Sequence, residues 1–177
     1  DVCSSDLNMI WKEAPPPETH LRPFPVKAEH RAFVQGELQR WLDSGYVREI
    51  THKQAKRQPV ILPAFVANSQ SKPRLVIDAR FTNGYCAKRA VKYEDLRDLA
   101  MVIRPEDHLI SFDIKDGYHH LSLTKHARGY LCFSVLGRFF LPITMPFGLS
   151  LAPYYFVKFM RPVMKHFRKL GFRGAIF

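Results

Sequence analysis

The stretch SFDIKDGYHHLSL, residues 111–123, decides how this 177-residue chain is read. The apolar run HLISFDI (108–114) predicts a buried strand, and KDGY breaks it. Asp113 would then stand at the carboxyl end of that strand, where a ligand or a metal ion reaches it. A buried acid must be compensated, and two readings stand level: an ion pair with a nearby Lys or Arg, or a bound Mg2+ that also takes substrate phosphate oxygens. Tyr118 on its own reads as a core tyrosine. Its functional reading is a rigid ring beside the sugar of a bound nucleotide, where a 2′-hydroxyl would clash. His119 and His120 have no further ligands at metal-binding spacing and read as polar helix-start or strand residues.

The surroundings of that stretch favour phosphate chemistry. The chain carries 27 Lys and Arg against 16 Asp and Glu, a net charge of +11. Most of the imbalance lies in residues 111–177, where ten basic residues face two acids, Asp113 and Asp116. Such a balance predicts a polyanionic partner, nucleic acid first. With 46% apolar residues the chain has enough material for one domain-sized core. Three unevenly spaced cysteines make neither a disulfide framework nor a CxxC pair, so they read as thiols in a reducing compartment. No apolar run is long enough to span a membrane and no secretory signal is visible, so no membrane partner and a cytoplasmic or nuclear site are expected.

Outward from 111–123 the elements fall into a mixed pattern. Residues 1–7, DVCSSDL, can be encoded by GACGTGTGCTCTTCCGATCT, which resembles a sequencing adapter translated in frame, and are set aside from the fold; a disordered start is the alternative. Five prolines between 14 and 25 predict an extended linker, so residues 1–28 form a lead-in and 29–177 the domain. An amphipathic helix is expected over 29–44, stopped by Gly45. VILPAFVA (60–67) and RLVIDARF (74–81) predict a hairpin, with Asp78 and Arg80 as a salt-bridged pair in its second strand. A short helix around 93–101 follows. Residues 130–133 and 138–143 read as a second hairpin. Ser150 reads as the N-cap of a long helix whose apolar face holds Ala152, Tyr155, Phe156, Phe159, Val163, Phe167 and Leu170, with a kink at Pro162.

Three further features suit a phosphate-handling site. Lys72 and Arg74 flank the tip of the first hairpin, and an arginine fork beside a lysine point charge suits a triphosphate. MPFGLSLAP (145–153) puts Pro and Gly at a turn where backbone approaches a ligand closely. Lys158, Arg161, Lys165, Arg168 and Lys169 form a basic stripe on the last helix. Such a stripe is either a wet helix face or a track for a phosphate backbone.

In this order the segments resemble the reverse transcriptase domain of LTR-type retroelements, over roughly residues 29–177. The wording of the second half is most similar to DIRS-like elements, then gypsy-like ones. The resemblance implies an α+β fold, fingers plus a partial palm, with an antiparallel sheet and packed helices. It implies that Asp113 is the catalytic carboxylate that ligates Mg2+, and that Tyr118 screens ribose from deoxyribose, with Asp116 beside it at the nucleotide. Lys72 and Arg74 would contact the triphosphate, with Asp78, Arg80 and Asn83 as scaffold. Phe147 and Gly148 would flank the incoming dNTP and the template, and Lys158, Arg161, Lys165 and Arg168 would follow an RNA or DNA template-primer.

The family's next motif is an aromatic residue, a variable one and two aspartates. GAIF aligns with its first strand, so Phe177 would be the aromatic residue and the chain would end before both aspartates. The family's reaction resembles the two-metal pattern, with ions about 3.5 to 4 Å apart, and one aspartate does not hold such a pair. The expectation is therefore a polymerase fragment inactive by itself. Two other classes stay open: a non-catalytic basic nucleic-acid-binding module, which has no need of Asp113, Tyr118 and Arg74 together, and a metal-dependent phosphotransferase or nuclease, which needs more acids than this chain offers after residue 107.

Overall fold

The computed structural model describes residues 6–68, 72–92, 94 and 96–174. Six strands form the sheet: β1 (Thr19–His20), β2 (Val47–Ile50), β3 (Val60–Asn68), β4 (Pro73–Ile77), β5 (Cys132–Val135) and β6 (Arg138–Pro142). Their order is β1-β3-β5-β6-β2, with β4 paired to β3. The helices are α1 (Arg31–Asp43), α2 (His52–Ala55), α3 (Arg80–Tyr85), α4 (Leu96–Val102), α5 (Lys125–Gly129) and α6 (Ala152–Lys169). The expected α+β class is observed. The sheet, however, is mixed, because β1 and β5 both run parallel to β3 while the remaining pairs are antiparallel.

β3 belongs to three ladders, with β1, β5 and β4. Ile61, Leu62 and Pro63 pair with Cys132, Phe133 and Ser134 of β5, and Ala64–Asn68 pair with β4 in a projecting hairpin. The changeover falls at Pro63, which has no N–H to donate and whose carbonyl accepts from the Asp78 N–H at 2.9 Å. Phe133 and Phe140 stack across β5 and β6 with centroids 5.3 Å apart, and the Trp41 ring of α1 meets Phe133 edge-on. Val34, Leu38, Leu62 and Leu131 close this core without solvent exposure. The β5–β6 turn is Leu136-Gly137, both at positive φ (52° and 75°), as a two-residue hairpin turn matched to the sheet twist requires.

Several sequence expectations change on contact with the fold. β4 ends at Ile77, so Asp78 and Arg80 are not strand partners. Asp78 Oδ1 accepts from the Arg80 backbone N–H, and both its oxygens accept from the Arg80 guanidinium, so the pair starts α3 by a local turn. Residues 52–55 form the short helix α2, begun by a Thr51–Gln54 capping box. Ser150 does not cap α6; Leu151 occupies that place with no side-chain cap, and the helix runs on through Pro162.

The largest change lies before the turn at Asp116. Residues 108–114 form no strand, and Leu109, Ile110 and Phe112 are 69%, 90% and 73% exposed. An apolar run becomes a strand only where a neighbouring edge supplies hydrogen bonds and a second surface supplies burial, and none of the described strands lies beside this one. The same shortage affects α6. Its first half docks through Ala152, Tyr155, Phe156 and Met160, whereas Phe159, Val163, Phe167 and Leu170 remain exposed.

The segment expected as an extended lead-in is packed at its beginning and at β1, while of its five prolines only Pro16 is buried. Met9 is buried in the core, and the Tyr155 hydroxyl donates to the Asn8 carbonyl at 2.7 Å. β1 extends the sheet, and Leu7, set aside on sequence pattern, bridges to Leu123. Replacing Met9 with Ala is expected to lower the unfolding free energy by about 2 to 5 kcal/mol, as for large-to-small core changes. Urea denaturation measures this, and an unchanged midpoint would return residues 6–20 to the status of a linker.

Candidate nucleotide site

The turn after Asp113 is the centre of the candidate site. Gly117–His120 form one 3₁₀ turn, entered through Asp116 in the left-handed conformation (φ 52°). Gly117 lets α6 come close, since a Cβ there would lie 3.0 Å from the Phe156 ring, which would have to give way. Tyr118 packs on two aromatic rings, Phe147 at 5.0 Å and Phe156 at 5.6 Å between centroids. Phe147 stands half-exposed in the turn before α6, and Gly148 follows at φ 94°, a conformation natural to glycine. A Cβ on Gly148 would also press to 3.2 Å on the Ile77 carbonyl, which joins this turn to the end of β4.

Asn83 fixes the same junction. Its Nδ2 donates to the Gly148 carbonyl and its Oδ1 accepts from the Ser150 N–H, both at 2.8 Å. The scaffold role expected for Asn83 thus has a concrete form: one side-chain amide closes the turn on both sides. Lys72 and Arg74 are exposed at the near end of the same hairpin strand. Arg74 precedes Ile77 by three residues, about 10 Å of extended chain.

His119, expected to be a surface-type polar residue, is buried. Its ring stacks on Tyr46 at 4.1 Å with planes 9° apart, and its Nδ1 lies 3.0 Å from Thr144 Oγ1. Thr144 donates its own hydroxyl proton to the Tyr46 carbonyl at 3.4 Å, which assigns the imidazole proton to Nδ1. Burial pushes the His119 pKa down to about 4, with Asp116 opposing the shift. Asp116 itself faces α1: Arg40 Nη1 donates to its Oδ2 at 2.9 Å, and the Tyr46 hydroxyl lies 3.5 Å away. Arg40 is further held by both oxygens of Glu37, and these carboxylates raise its pKa against the opposing effect of burial. Arg40, Tyr46 and Phe156 were not expected at the site. The first two contact the turn across some 70 residues of sequence, a distance that no local pattern encodes.

The structure therefore brings together Tyr118, Phe147 and Gly148, and turns Asp116 toward Arg40. Asp113 is exposed, not buried at a strand end, which removes the need for a compensating partner. Among the described residues no group of three or more His, Cys, Asp or Glu side chains is arranged to hold a metal ion. On α6 the predicted basic stripe is exposed, but Arg168 is engaged by Glu94 and by the Gly174 carbonyl. Arg161, Lys165 and Lys169 line a groove with Lys92, Glu94 and Asp98. Among the described residues no helix is long and apolar enough to cross a membrane.

Residues 55–173 match the reverse transcriptase (RNA-dependent DNA polymerase) family, and the chain belongs to that family. Polyproteins of the transposons Tf2-7 and Tf2-8 of Schizosaccharomyces pombe are each 25% identical over 144 residues. The match takes in 81% of this chain and 10% of each polyprotein, so the chain spans about a tenth of these relatives. The fold is similar to a foamy viral protease-reverse transcriptase in complex with double-stranded DNA (TM-score 0.69, 17% identity, 92% of this chain and 28% of that one). It is also similar to the same type of protein in complex with an RNA/DNA hybrid (TM-score 0.71, 16% identity, 93% and 21%). Members of the family generally use divalent metal ions.

The buried imidazole makes stability depend on pH. His119 takes a proton near pH 6.5 when unfolded and only near pH 4 when folded, so lowering the pH between these values favours the unfolded chain. Stability should fall by up to about 1.4 kcal/mol per pH unit across that window and level off below it. Urea midpoints at a series of pH values test this, and His119→Phe, which keeps a ring against Tyr46, should flatten the slope.

Proposed function

We propose that this chain supplies the fingers and the first part of the palm of an RNA-directed DNA polymerase encoded by an LTR-type retroelement. The enzyme would extend a nucleic-acid primer with dNTPs on an RNA or DNA template. The observation that carries this reading is the Tyr118 ring seated on Phe147 beside Gly148, within a chain of the reverse transcriptase family. The reverse transcriptase segment is assigned to residues 29–177, with residues 7–20 packed onto it, and the DIRS-like subgroup rests on the wording of residues 111–156.

In this reading Lys72 and Arg74 hold the triphosphate by charge and by the planar fork of the arginine. Tyr118 stands where a 2′-hydroxyl would enter, Phe147 and Gly148 line the other side, and Asp116 acts through the turn it begins. Lys158, Arg161 and Lys165 follow the phosphate backbone of the template-primer, with Arg168 joining only if it leaves Glu94. Bound Mg2+ would supply charge neutralisation at the phosphates and activation of the primer hydroxyl. Asp113 offers one ligand, and the described residues do not form a two-ion site, so no step is assigned to the metal within this chain.

Binding comes first among the tests. Affinity for a primer-template duplex should fall with a log-log salt slope of about −3 to −4 if four phosphates are neutralised. A salt-independent interaction, or none at low salt, contradicts the proposal.

Catalysis separates the enzyme from the binding module. The 177-residue chain should give no primer extension above background, while the full-length protein should extend and lose extension in Asp113→Asn. Extension by the 177-residue chain that Asp113→Asn abolishes would show that one carboxylate suffices.

Sugar selection tests Tyr118 in the full-length protein. Tyr118→Ala should raise ribonucleotide use relative to deoxyribonucleotide, and Tyr118→Phe, which keeps the ring, should not. Equal loss with both sugars would make Tyr118 a packing residue only.

A further inference from the structure

The turn that carries Tyr118 is held through His119, stacked on Tyr46 and 3.0 Å from Thr144, and from two further sides by interactions of different kinds. On the α6 side the contacts are aromatic: Phe147 and Phe156 meet the Tyr118 ring, and Phe156 fits against the bare Cα of Gly117. Such contacts fill space and orient the ring, and are less directional than a charge-assisted hydrogen bond. On the α1 side the contact is directional. Arg40 Nη1 reaches the Asp116 carboxylate at 2.9 Å, while its Nε and Nη2 are pinned to Glu37 at 3.1 and 2.6 Å. A guanidinium clamped at one edge by its own helix points its remaining donor in a set direction.

The backbone adds an independent indication. Asp116 sits in the left-handed region, which L-residues other than Gly, Asn and Asp rarely adopt, and its side chain caps nothing in the turn it begins. The carboxylate spends its bonding on α1 instead. Without that tether residue 116, and with it the turn that carries Tyr118, loses its ionic link to α1.

Resting on the sugar-screening reading of Tyr118, we propose that Arg40 is a positioning residue for nucleotide sugar selection. By holding Asp116, Arg40 of α1 fixes the Gly117–His120 turn, and the turn sets how closely the Tyr118 ring stands to the sugar of a bound nucleoside triphosphate. Arg40 touches neither the nucleotide nor the primer in this scheme. Its effect passes through Asp116 alone, and it therefore alters which sugar is accepted more than how fast an accepted one reacts.

The test uses the full-length protein that carries this chain, with dNTP and rNTP incorporation measured separately on one primer-template. Arg40→Gln is expected to lower the dNTP-to-rNTP ratio of kcat/KM by about threefold to tenfold. Asp116→Gly, which accepts the left-handed backbone yet carries no carboxylate, is expected to lower it similarly and carries the test if Arg40→Gln does not fold. Combined with Tyr118→Ala, Arg40→Gln should lower the ratio no further than Tyr118→Ala does alone, because the two act in series. A folded Arg40→Gln or Asp116→Gly protein that slows with both sugars equally, at an unchanged ratio, overturns the positioning role while leaving the Tyr118 reading intact. An unchanged ratio in folded Tyr118→Ala overturns that reading and this proposal together.

Discussion

The parallel pairing of β3 with β5 joins residues 61–63 to residues 132–134, and the candidate site depends on it. Without this ladder the projecting hairpin and the turn before α6 would be unrelated segments of chain. With it, the Ile77 carbonyl at the end of β4 meets Gly148, and Asn83 closes the junction from the other side. Parallel partners so far apart in sequence carry a loop-closure cost that short hairpins avoid. The fully buried rings of Phe133 and Phe140, stacked above the ladder, supply the apolar contact that offsets it.

Aromatic packing and charge divide the site between them. Tyr118, Phe147 and Phe156 make a contact surface whose geometry barely responds to salt or pH. Arg40, Glu37 and Asp116 form a partly exposed ionic link whose value lies in direction, since exposed pairs add little to stability. His119 stands between the two sets, stacked on Tyr46 and kept neutral by burial. A charged imidazole at that place would face both the Arg40 guanidinium and a low-dielectric surrounding, which explains why the neutral form prevails.

How much of this was legible in the sequence follows from the range over which each signal acts. The helix of α1, its stop at Gly45 and the two hairpins were readable because apolar spacing and turn residues act over a few positions. Tyr118, Phe147 and Gly148 were singled out by resemblance, and what the structure adds is their proximity, with the Tyr118 and Phe147 rings 5.0 Å apart. Residues 108–114 were misread because strand formation is a property of pairs: apolar content does not tell whether an edge is available. Asp78 and Arg80 were misread because alternation continued past Ile77, while the short side chain of Asp78 favoured a local turn. Arg40 gave no signal, since on the solvent side of an amphipathic helix an arginine with a distant carboxylate partner looks like any other.

Pro63 has a consequence for the reach of the hairpin. A strand built only of residues with N–H groups slides by two positions and still pairs, at the cost of some packing. A strand with proline at the changeover between two ladders does not slide so freely. Moving it in either direction sets the ring where one ladder needs a donor. The number of residues beyond Pro63, and so the length of the arm that bears Lys72 and Arg74, is thus gauged by covalent chemistry. In a chain that gathers basic side chains to meet phosphate, a proline with no charge acts as the ruler that says how far they extend.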